Sequence, residues 1–148
     1  MKRLLLAAAT VATLATCTAF STLAHAQSHE PALATPAGTL QFTHAGRDFA
    51  ATLDNAELDR FGAASLTHFD DVSEHGDTVP RLLVQTDNGP VLYDLRRRPA
   101  LVQRTGVRMT VRRVFWQRDE VVLQGSQGWY RLMNGKLTKL QSSMTIYH

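Results

Sequence analysis

The sequence predicts an all-β fold, a small antiparallel β-barrel or sandwich of about nine or ten short strands with one short helix. Short runs of alternating apolar and polar residues recur in the second half of the chain, as in strands with one face in water. Turn-forming stretches such as GSQG and Asn134-Gly135 separate these runs. The 122 residues that follow the first 26 are the size of one domain with a single core.

The first 26 residues have the features of a secretion signal. Lys2 and Arg3 precede an apolar stretch, and Ala24 and Ala26 are small residues at the two positions that a signal peptidase reads. Threonines interrupt the apolar runs and no stop-transfer segment follows, which argues against a membrane span. We therefore expect cleavage between Ala26 and Gln27 and a periplasmic or secreted protein.

Cys17 is the only cysteine, and it suggests an alternative processing of the N-terminus by lipidation. The stretch LATC, residues 14–17, resembles a bacterial lipobox, in which the cysteine is lipidated, although Thr16 stands where that motif has Gly, Ala or Ser. Association with a membrane is expected only if Cys17 is lipidated. After cleavage at Ala26 the chain has no cysteine, and therefore no disulfide and no thiol for metal or nucleophilic chemistry.

The first half of the exported chain is predicted to contain a leader and a hairpin. Residues 27–38 are rich in Pro, Ala and polar residues and are expected to form a flexible leader. A single β-rich domain is expected over residues 39–148. Its first hairpin consists of TLQFT and DFAATL, which flank a turn that contains glycine.

One segment departs from strand alternation. Residues 54–66 are predicted to form a short helix, because Asp54 and Glu57 make an N-cap pair three residues apart and Leu58 and Phe61 fall near helical spacing. A brief strand, LTHF, and the acidic loop DDVSEHGDTVP are expected to follow.

After Pro80 the pattern is that of strands throughout. The predicted strands are RLLVQT, VLYDL, ALVQ, VRMTVR, VFWQ, EVVLQ, WYRLM and KLTKLQ, and MTIYH is a candidate terminal strand. The strongest hairpin signal is Asn134-Gly135, since this dipeptide suits a two-residue turn with positive φ at both positions.

The sequence also contains a faint repeat. RLLVQTDNG from Arg81 and EVVLQGSQG from Glu120 align without gaps 39 residues apart, and TLQFTHAG from Thr39 is a looser third copy. Four-stranded propeller blades repeat with a period near 40, but three units fall short of the usual minimum of four blades. A barrel or a two-sheet sandwich therefore fits the length better.

The stretch VRMTVRRVFW, residues 107–116, places arginines within a strand-like pattern. The odd positions from 107 to 111 are apolar, whereas the next inward-facing apolar residues, Val114 and Trp116, are even. This change of phase predicts a β-bulge or a tight bend near Arg112 and Arg113.

Charge is divided unevenly along the chain. Residues 27–95 contain three basic and eleven acidic residues, whereas residues 96–148 contain eleven basic and two acidic ones. Either the two halves neutralise one another on folding, or a basic face attracts an acidic partner. Eight arginines fall within 23 residues while the whole chain has three lysines. Bidentate recognition of carboxylate or phosphate favours arginine, and so does a high-GC codon usage.

We expect an exported, non-catalytic binding protein whose arginine-rich β surface engages an acidic protein or an envelope component. Nucleic acid is not the expected partner because the protein is exported, although arginines flanked by aromatic residues also suit nucleic acids. Trp116 and Trp129 are expected to be core residues rather than a binding platform. The candidate partner-binding residues are Arg96, Arg97, Arg98, Arg104, Thr105, Arg108, Arg112, Arg113 and Arg118.

Enzyme motifs are missing from the sequence. The histidines are scattered, and neither H-E-x-x-H nor a Gly-x-Ser-x-Gly elbow occurs. The acidic loop at residues 70–80 does not have the spacing of an EF-hand. We therefore expect no catalytic residues, no metal site and no cofactor, with a dispersed carboxylate pair as the open enzymatic alternative.

Residues 101–123 carry one local family resemblance. LVQRTGVRM, followed by VFWQRDEVVL, resembles the paired signatures of the periplasmic C-type lysozyme inhibitors, which are a Ser shortly before Gly-x-Arg-Tyr and then a strand with paired aromatics, a Lys-Gly and an acidic residue. The residues that match in type and order are Gly106, Arg108, Phe115, Trp116 and Asp119.

The resemblance implies a small exported antiparallel β-barrel that inhibits a lysozyme. In that family a loop hydroxyl and a basic residue reach the catalytic carboxylates, and the positions implied here are Thr105 and Arg118. The chain departs from the family pattern, since Met109 replaces the Tyr and the disulfide cysteines are absent. The alternative function is therefore an inhibitor of, or immunity protein against, a lysozyme-type cell-wall hydrolase.

Overall fold

A computed structural model describes residues 30–141, and within this range the chain forms twelve strands and no helix. They pair in chain order into three antiparallel four-stranded sheets, named I (β1–β4), II (β5–β8) and III (β9–β12). The strands are β1 (Leu33–Thr35), β2 (Gly38–Ala45), β3 (Asp48–Leu53), β4 (Ala56–Gly62), β5 (His68–Asp71), β6 (Arg81–Thr86), β7 (Gly89–Asp94), β8 (Leu101–Arg104), β9 (Val111–Trp116), β10 (Glu120–Gly125), β11 (Gly128–Met133) and β12 (Lys136–Leu140).

The predicted all-β class is confirmed, with more strands than expected and without the helix. The architecture is sandwich-like, with three packed sheets rather than two. The predicted signal over residues 1–26, its cysteine and the candidate terminal strand MTIYH lie outside the described residues.

Sheet II lies between the other two sheets. Leu82 and Val84 on β6 belong to a core shared with sheet I, which includes Leu40. Leu83, between them in sequence, belongs to a second core shared with sheet III, which includes Val121. Successive side chains on a strand point to opposite faces, so a single apolar run on β6 supplies both cores.

The predicted helix at residues 54–66 was wrong. Asp54 and Asn55 both have positive φ, 49° and 67°, and connect β3 to the strand β4. The pairing of β3 with β4 shifts so that Leu58 is an extra residue in the ladder. This bulge brings Leu58 and Phe61 to the same core although they are three residues apart. The spacing that suggested a helix is therefore the spacing of a bulged strand.

Part of the segment predicted to be a flexible leader, residues 27–38, is paired. β1 forms a hairpin with β2, and the Val79 backbone NH donates a hydrogen bond to the Ala34 carbonyl at 2.9 Å. Ala37, in the turn between these strands, is 7 % exposed and belongs to the core of sheets I and II. Some of the Pro and Ala residues that suggested a flexible leader, Pro36 and Ala37, thus lie in a hairpin turn.

The faint repeat corresponds to equivalent strands. Arg81 and Glu120 begin β6 and β10, the second strands of sheets II and III, and the looser copy is β2, the second strand of sheet I. Both closer copies end in a turn closed by a glycine with positive φ, Gly89 at 107° and Gly128 at 124°. A Cβ atom at position 89 would lie 2.0 Å from the Val107 carbonyl oxygen, so only glycine fits there.

The structure confirms the bulge near Arg112 and Arg113. Arg113 pairs with Gln124 and Val111 pairs with Gly125, which leaves Arg112 as the extra residue. Residues 107–110, expected to be part of this strand, have no regular structure. The predicted turn at Asn134-Gly135 is present, with φ values of 51° and 75°.

His68 on β5 forms a titratable pair beside the core of sheets I and II. Its Nδ1 lies 2.6 Å from Oδ1 of Asp70, and its ring stacks on Phe42 with centroids 5.6 Å apart. The hydrogen bond to Asp70 raises the pKa of His68 above its ordinary value of 6.5, with burial acting against it and Glu30 adding to it. The His68–Asp70 pair therefore stabilises the folded state fully below pH 6.5, and this contribution is lost as the pH rises through the raised pKa of His68.

We expect the free energy of unfolding to be higher at about pH 6 than at about pH 8.5 because of this pair. Urea denaturation at both pH values measures the difference. His68→Gln should remove most of it, whereas His75→Gln, in the exposed acidic loop, should leave it intact. An equal loss of stability in wild type and His68→Gln as the pH rises would contradict this assignment.

Candidate functional site

The nine candidate residues lie at two opposite ends of the sheets rather than on one surface. We call these the Arg96 end, with the loop 95–100 and the turn 117–119, and the Arg108 end, with the loop 105–110 and the turns 87–88 and 126–127. The two loops of the Arg96 end meet where Nη1 of Arg96 donates to the Arg118 carbonyl at 3.1 Å. Arg96, Arg97, Arg98 and Arg118 lie at the Arg96 end, and Arg104, Thr105, Arg108, Arg112 and Arg113 lie toward the Arg108 end.

At the Arg96 end, two arginines are paired with one buried carboxylate. The side chain of Asp94 is 8 % exposed and accepts from Nε and Nη2 of Arg96 at 2.9 and 2.8 Å. These hydrogen bonds lower the pKa of Asp94 and raise that of Arg96. Nε of Arg97 lies 4.0 Å from the same carboxylate. The guanidinium of Arg96 is therefore neutralised by an ion pair within the molecule.

Arg81, which sequence reasoning did not single out, lies buried beneath this network. Its Nε donates to Asp71 at 2.8 Å, its Nη2 donates to the Gln117 carbonyl at 2.7 Å, and its guanidinium lies 5.1 Å from the centroid of the Trp116 ring. Together with Arg96 it ties the turn between β9 and β10 to sheet II. One feature of the sequence could have pointed to a buried, paired Arg81: it is a charged residue at the start of an apolar run and follows an acidic loop.

Arg104 is also paired internally. It forms an ion pair with Asp59 of sheet I, and the same carboxylate accepts a hydrogen bond from the Tyr93 hydroxyl at 2.7 Å. Tyr93 is fully buried, and burial together with Asp59 raises its pKa. Here a carboxylate of the acidic first half neutralises an arginine of the basic second half, as one of the two interpretations of the charge pattern predicts.

The other five candidate arginines have no carboxylate partner among residues 30–141. Nη2 of Arg98 donates to the Pro36 carbonyl at 3.2 Å, and Nη2 of Arg108 donates to the side-chain amide oxygen of Asn88 at 3.3 Å. The side chains of the remaining three are exposed and make no hydrogen bond or ion pair with the described part of the chain: Arg112, Arg113 and Arg118. The acidic half thus neutralises only part of the basic half.

Thr105 and Arg118, the pair implied by the lysozyme-inhibitor resemblance, are not neighbours. The Thr105 hydroxyl donates to the Pro90 carbonyl at 2.9 Å, at the Arg108 end. Arg118 lies in the turn at the far end of β9, and the length of that strand separates the two ends by roughly 20 Å. The structure therefore does not bring this hydroxyl and this cation together.

The two tryptophans lie on opposite faces of sheet III. Trp116 packs against the core between sheets II and III, as expected. Trp129 lies on the outer face, where its ring is 5.6 Å from that of Phe115, and it is partly exposed. The expectation that both tryptophans are core residues was therefore wrong for Trp129, because the alternation of β11 points it away from sheet II.

Within the described residues, no three His, Cys, Asp or Glu side chains are grouped as metal ligands. The same part of the chain contains no helix that is long and apolar enough to cross a membrane. The chain matches no protein-family model, no curated protein and no solved structure at a significant level.

Proposed function

We propose that this protein is an exported, non-catalytic binding protein that engages an acidic protein or envelope component through the arginines of the Arg108 end. The observation that supports this most directly is that Arg108, Arg112 and Arg113 are exposed and lack a carboxylate partner within residues 30–141. Exposed arginines donate bidentate, charge-assisted hydrogen bonds to carboxylate or phosphate oxygens.

The backbone that carries these arginines is held in place by neighbouring elements. The side chain of Gln85 accepts from the Val111 NH at 2.8 Å and donates to the Met109 carbonyl at 2.9 Å. The Ser126 NH donates to the Thr110 carbonyl at 2.8 Å. A fixed backbone lowers the entropy cost of ordering the binding surface, which supports recognition of a shaped acidic partner.

Inhibition of a lysozyme-type cell-wall hydrolase is one form of this function and stays a prediction from the sequence resemblance. A hydrolase cleft presents acidic side chains, as the proposal requires. The separation of Thr105 from Arg118 means that an inhibitor of this shape would use the Arg108 end rather than that residue pair.

We expect the double variant Arg112→Glu/Arg113→Glu to bind polyglutamate at least about tenfold more weakly than wild type, because two attractive charges become repulsive. Biolayer interferometry at low and high salt measures the affinity, and binding should weaken as salt rises. Arg47→Glu is the matched control, since Arg47 is exposed in the turn between β2 and β3 of sheet I. This variant should bind within about twofold of wild type.

Two further arms identify the kind of partner. Vesicles with anionic phospholipids test phosphate groups of the envelope, and clearing of cell walls by a lysozyme tests inhibition. Salt-independent binding, or an equal loss of affinity in the control, would show that the arginines of the Arg108 end are not the binding surface.

A further inference from the structure

The two outer faces of the three-sheet stack differ in character. On sheet I the core-facing residues include Leu40 and Phe42, so alternation turns their neighbours outward. The outward set is small or polar. Its charged members are Asp48, Glu57 and Arg60, and Glu57 and Arg60 pair with each other at 3.0 Å. The outward residues of sheet I include Gln41, Thr43, Ala50 and Thr52. Sheet I thus ends the stack with a solvated face, as terminal units of stacked repeats do.

The outer face of sheet III is aromatic and apolar. Val121 and Leu123 face the core, so the residues between and beside them point outward. Val122 lies opposite Phe115 in the ladder and is 1 % exposed, although no other sheet formed by residues 30–141 packs on this face. Trp129, in ring contact with Phe115, lies opposite Leu140 on β12. This end of the stack therefore has the composition of a contact surface.

The same face is basic. Arg113 lies opposite Gln124 beside the aromatic pair and has no carboxylate partner within residues 30–141. Lys136 lies opposite Met133, which is 42 % exposed. Arg131, also on this face, is paired with Glu120 at 3.0 Å. Aromatic residues, Met and Arg are the residues enriched where proteins bind one another.

We propose that the acidic partner is a protein, and that it docks on the outer face of sheet III with a segment that carries acidic side chains next to an aromatic or aliphatic one. This inference rests on the proposed function and adds the surface and the partner class to it. The carboxylates would meet Arg113 and Lys136, and the apolar side chain would cover the rings of Phe115 and Trp129. A polyanion without apolar groups would leave those rings in water.

A second copy of this chain fits the face less well. A symmetric pair of sheet III faces would bring the same basic residues of two copies together, which is repulsive. Among the described residues, the outer face of sheet I has two carboxylates, of which Glu57 is already paired with Arg60. The other, Asp48, lies opposite Ala45 and Gly62, so no aromatic or large aliphatic side chain of the described strands accompanies it. Charge complementarity therefore favours a different, acidic protein.

The experiment compares two defined probes, polyglutamate and a random copolymer of Glu and Tyr, matched in Glu content. Wild type should bind the copolymer about tenfold more tightly than polyglutamate, because the tyrosines engage the aromatic pair. Trp129→Ala should abolish this preference while its affinity for polyglutamate stays within about twofold of wild type. Arg113→Glu should weaken binding of both probes.

Two further variants of exposed side chains, the second of them a control, test the same surface in case Trp129→Ala impairs folding. Met133→Ser changes an exposed side chain of the same face and should lower the preference for the copolymer by about threefold. Val72→Ser is the matched control, because Val72 is 54 % exposed in the loop after β5 and should keep the full preference.

Equal binding of the two probes by wild type would overturn this inference and leave the proposed function standing. Failure to bind either probe would overturn the proposed function as well. A dimer in sedimentation that dissociates in Trp129→Ala would assign the face to a second copy and would also overturn the inference.

Discussion

Replacing Arg81 with alanine is expected to lower the free energy of unfolding by about 3–5 kcal/mol, the usual cost of removing one partner of a buried ion pair. The side chains of Arg81 and Asp71 are 7 % and 20 % exposed, so the remaining carboxylate would lose its charge partner with little access to water. The Gln117 carbonyl would lose its donor, and Trp116 would lose the guanidinium stacked on it.

Urea unfolding of Arg81→Ala against wild type measures this cost. The control is Arg97→Ala, because Arg97 is 63 % exposed and lies 4.0 Å from its carboxylate. Exposed pairs of this kind contribute at most about 1 kcal/mol. A loss below about 1 kcal/mol for Arg81→Ala would show that the network at the Arg96 end does not hold sheets II and III together.

Asp59→Ala is expected to lower the free energy of unfolding by about 2–3 kcal/mol, because it leaves a buried donor without an acceptor. The Tyr93 hydroxyl donates to Asp59 at 2.7 Å, and Tyr93 is fully buried between sheets I and II. Arg104 would lose its ion pair with the same carboxylate. Because Arg104 is largely exposed, the loss of this ion pair should change the free energy of unfolding only slightly.

A double-mutant cycle with Tyr93→Phe isolates the contribution of the hydroxyl. In the Asp59→Ala background, Tyr93→Phe should restore about 1 kcal/mol, since it removes the unsatisfied donor together with its lost acceptor. Strictly additive effects of the two substitutions would mean that the hydrogen bond between them does not stabilise the fold.

Local patterns in the sequence predicted those features that depend on neighbouring residues. The change of phase between Val111 and Val114 located the bulge at Arg112, because inward and outward positions on a strand must alternate. The same kind of pattern misled at Leu58 and Phe61, where a bulge produced a spacing that also fits a helix. One apolar spacing thus has two structural meanings, and only the pairing with β3 decides between them.

The candidate site was predicted in part. The composition showed that arginine is clustered in the second half. It did not show which of these guanidinium groups lack a carboxylate partner within the protein and can bind another molecule. Arg104 is neutralised by Asp59, which is 45 residues away in the chain, and Arg96 by Asp94, which is two residues away. Neither pairing follows from spacing alone, since Arg98 is only four residues from Asp94 in sequence but donates to a backbone carbonyl.

Four features could be predicted from the order of the amino acids: the all-β class, the turn at Asn134-Gly135, the bulge in β9 and the excess of arginine after residue 95. These properties depend on alternation, turn chemistry and composition, which act over a few residues. Three other features became visible in the folded protein: the strands form three sheets, the arginines divide between two ends, and Trp129 faces outward beside Arg113. These outcomes depend on which faces of distant strands meet, because burial and ion pairing are set by contacts between sheets.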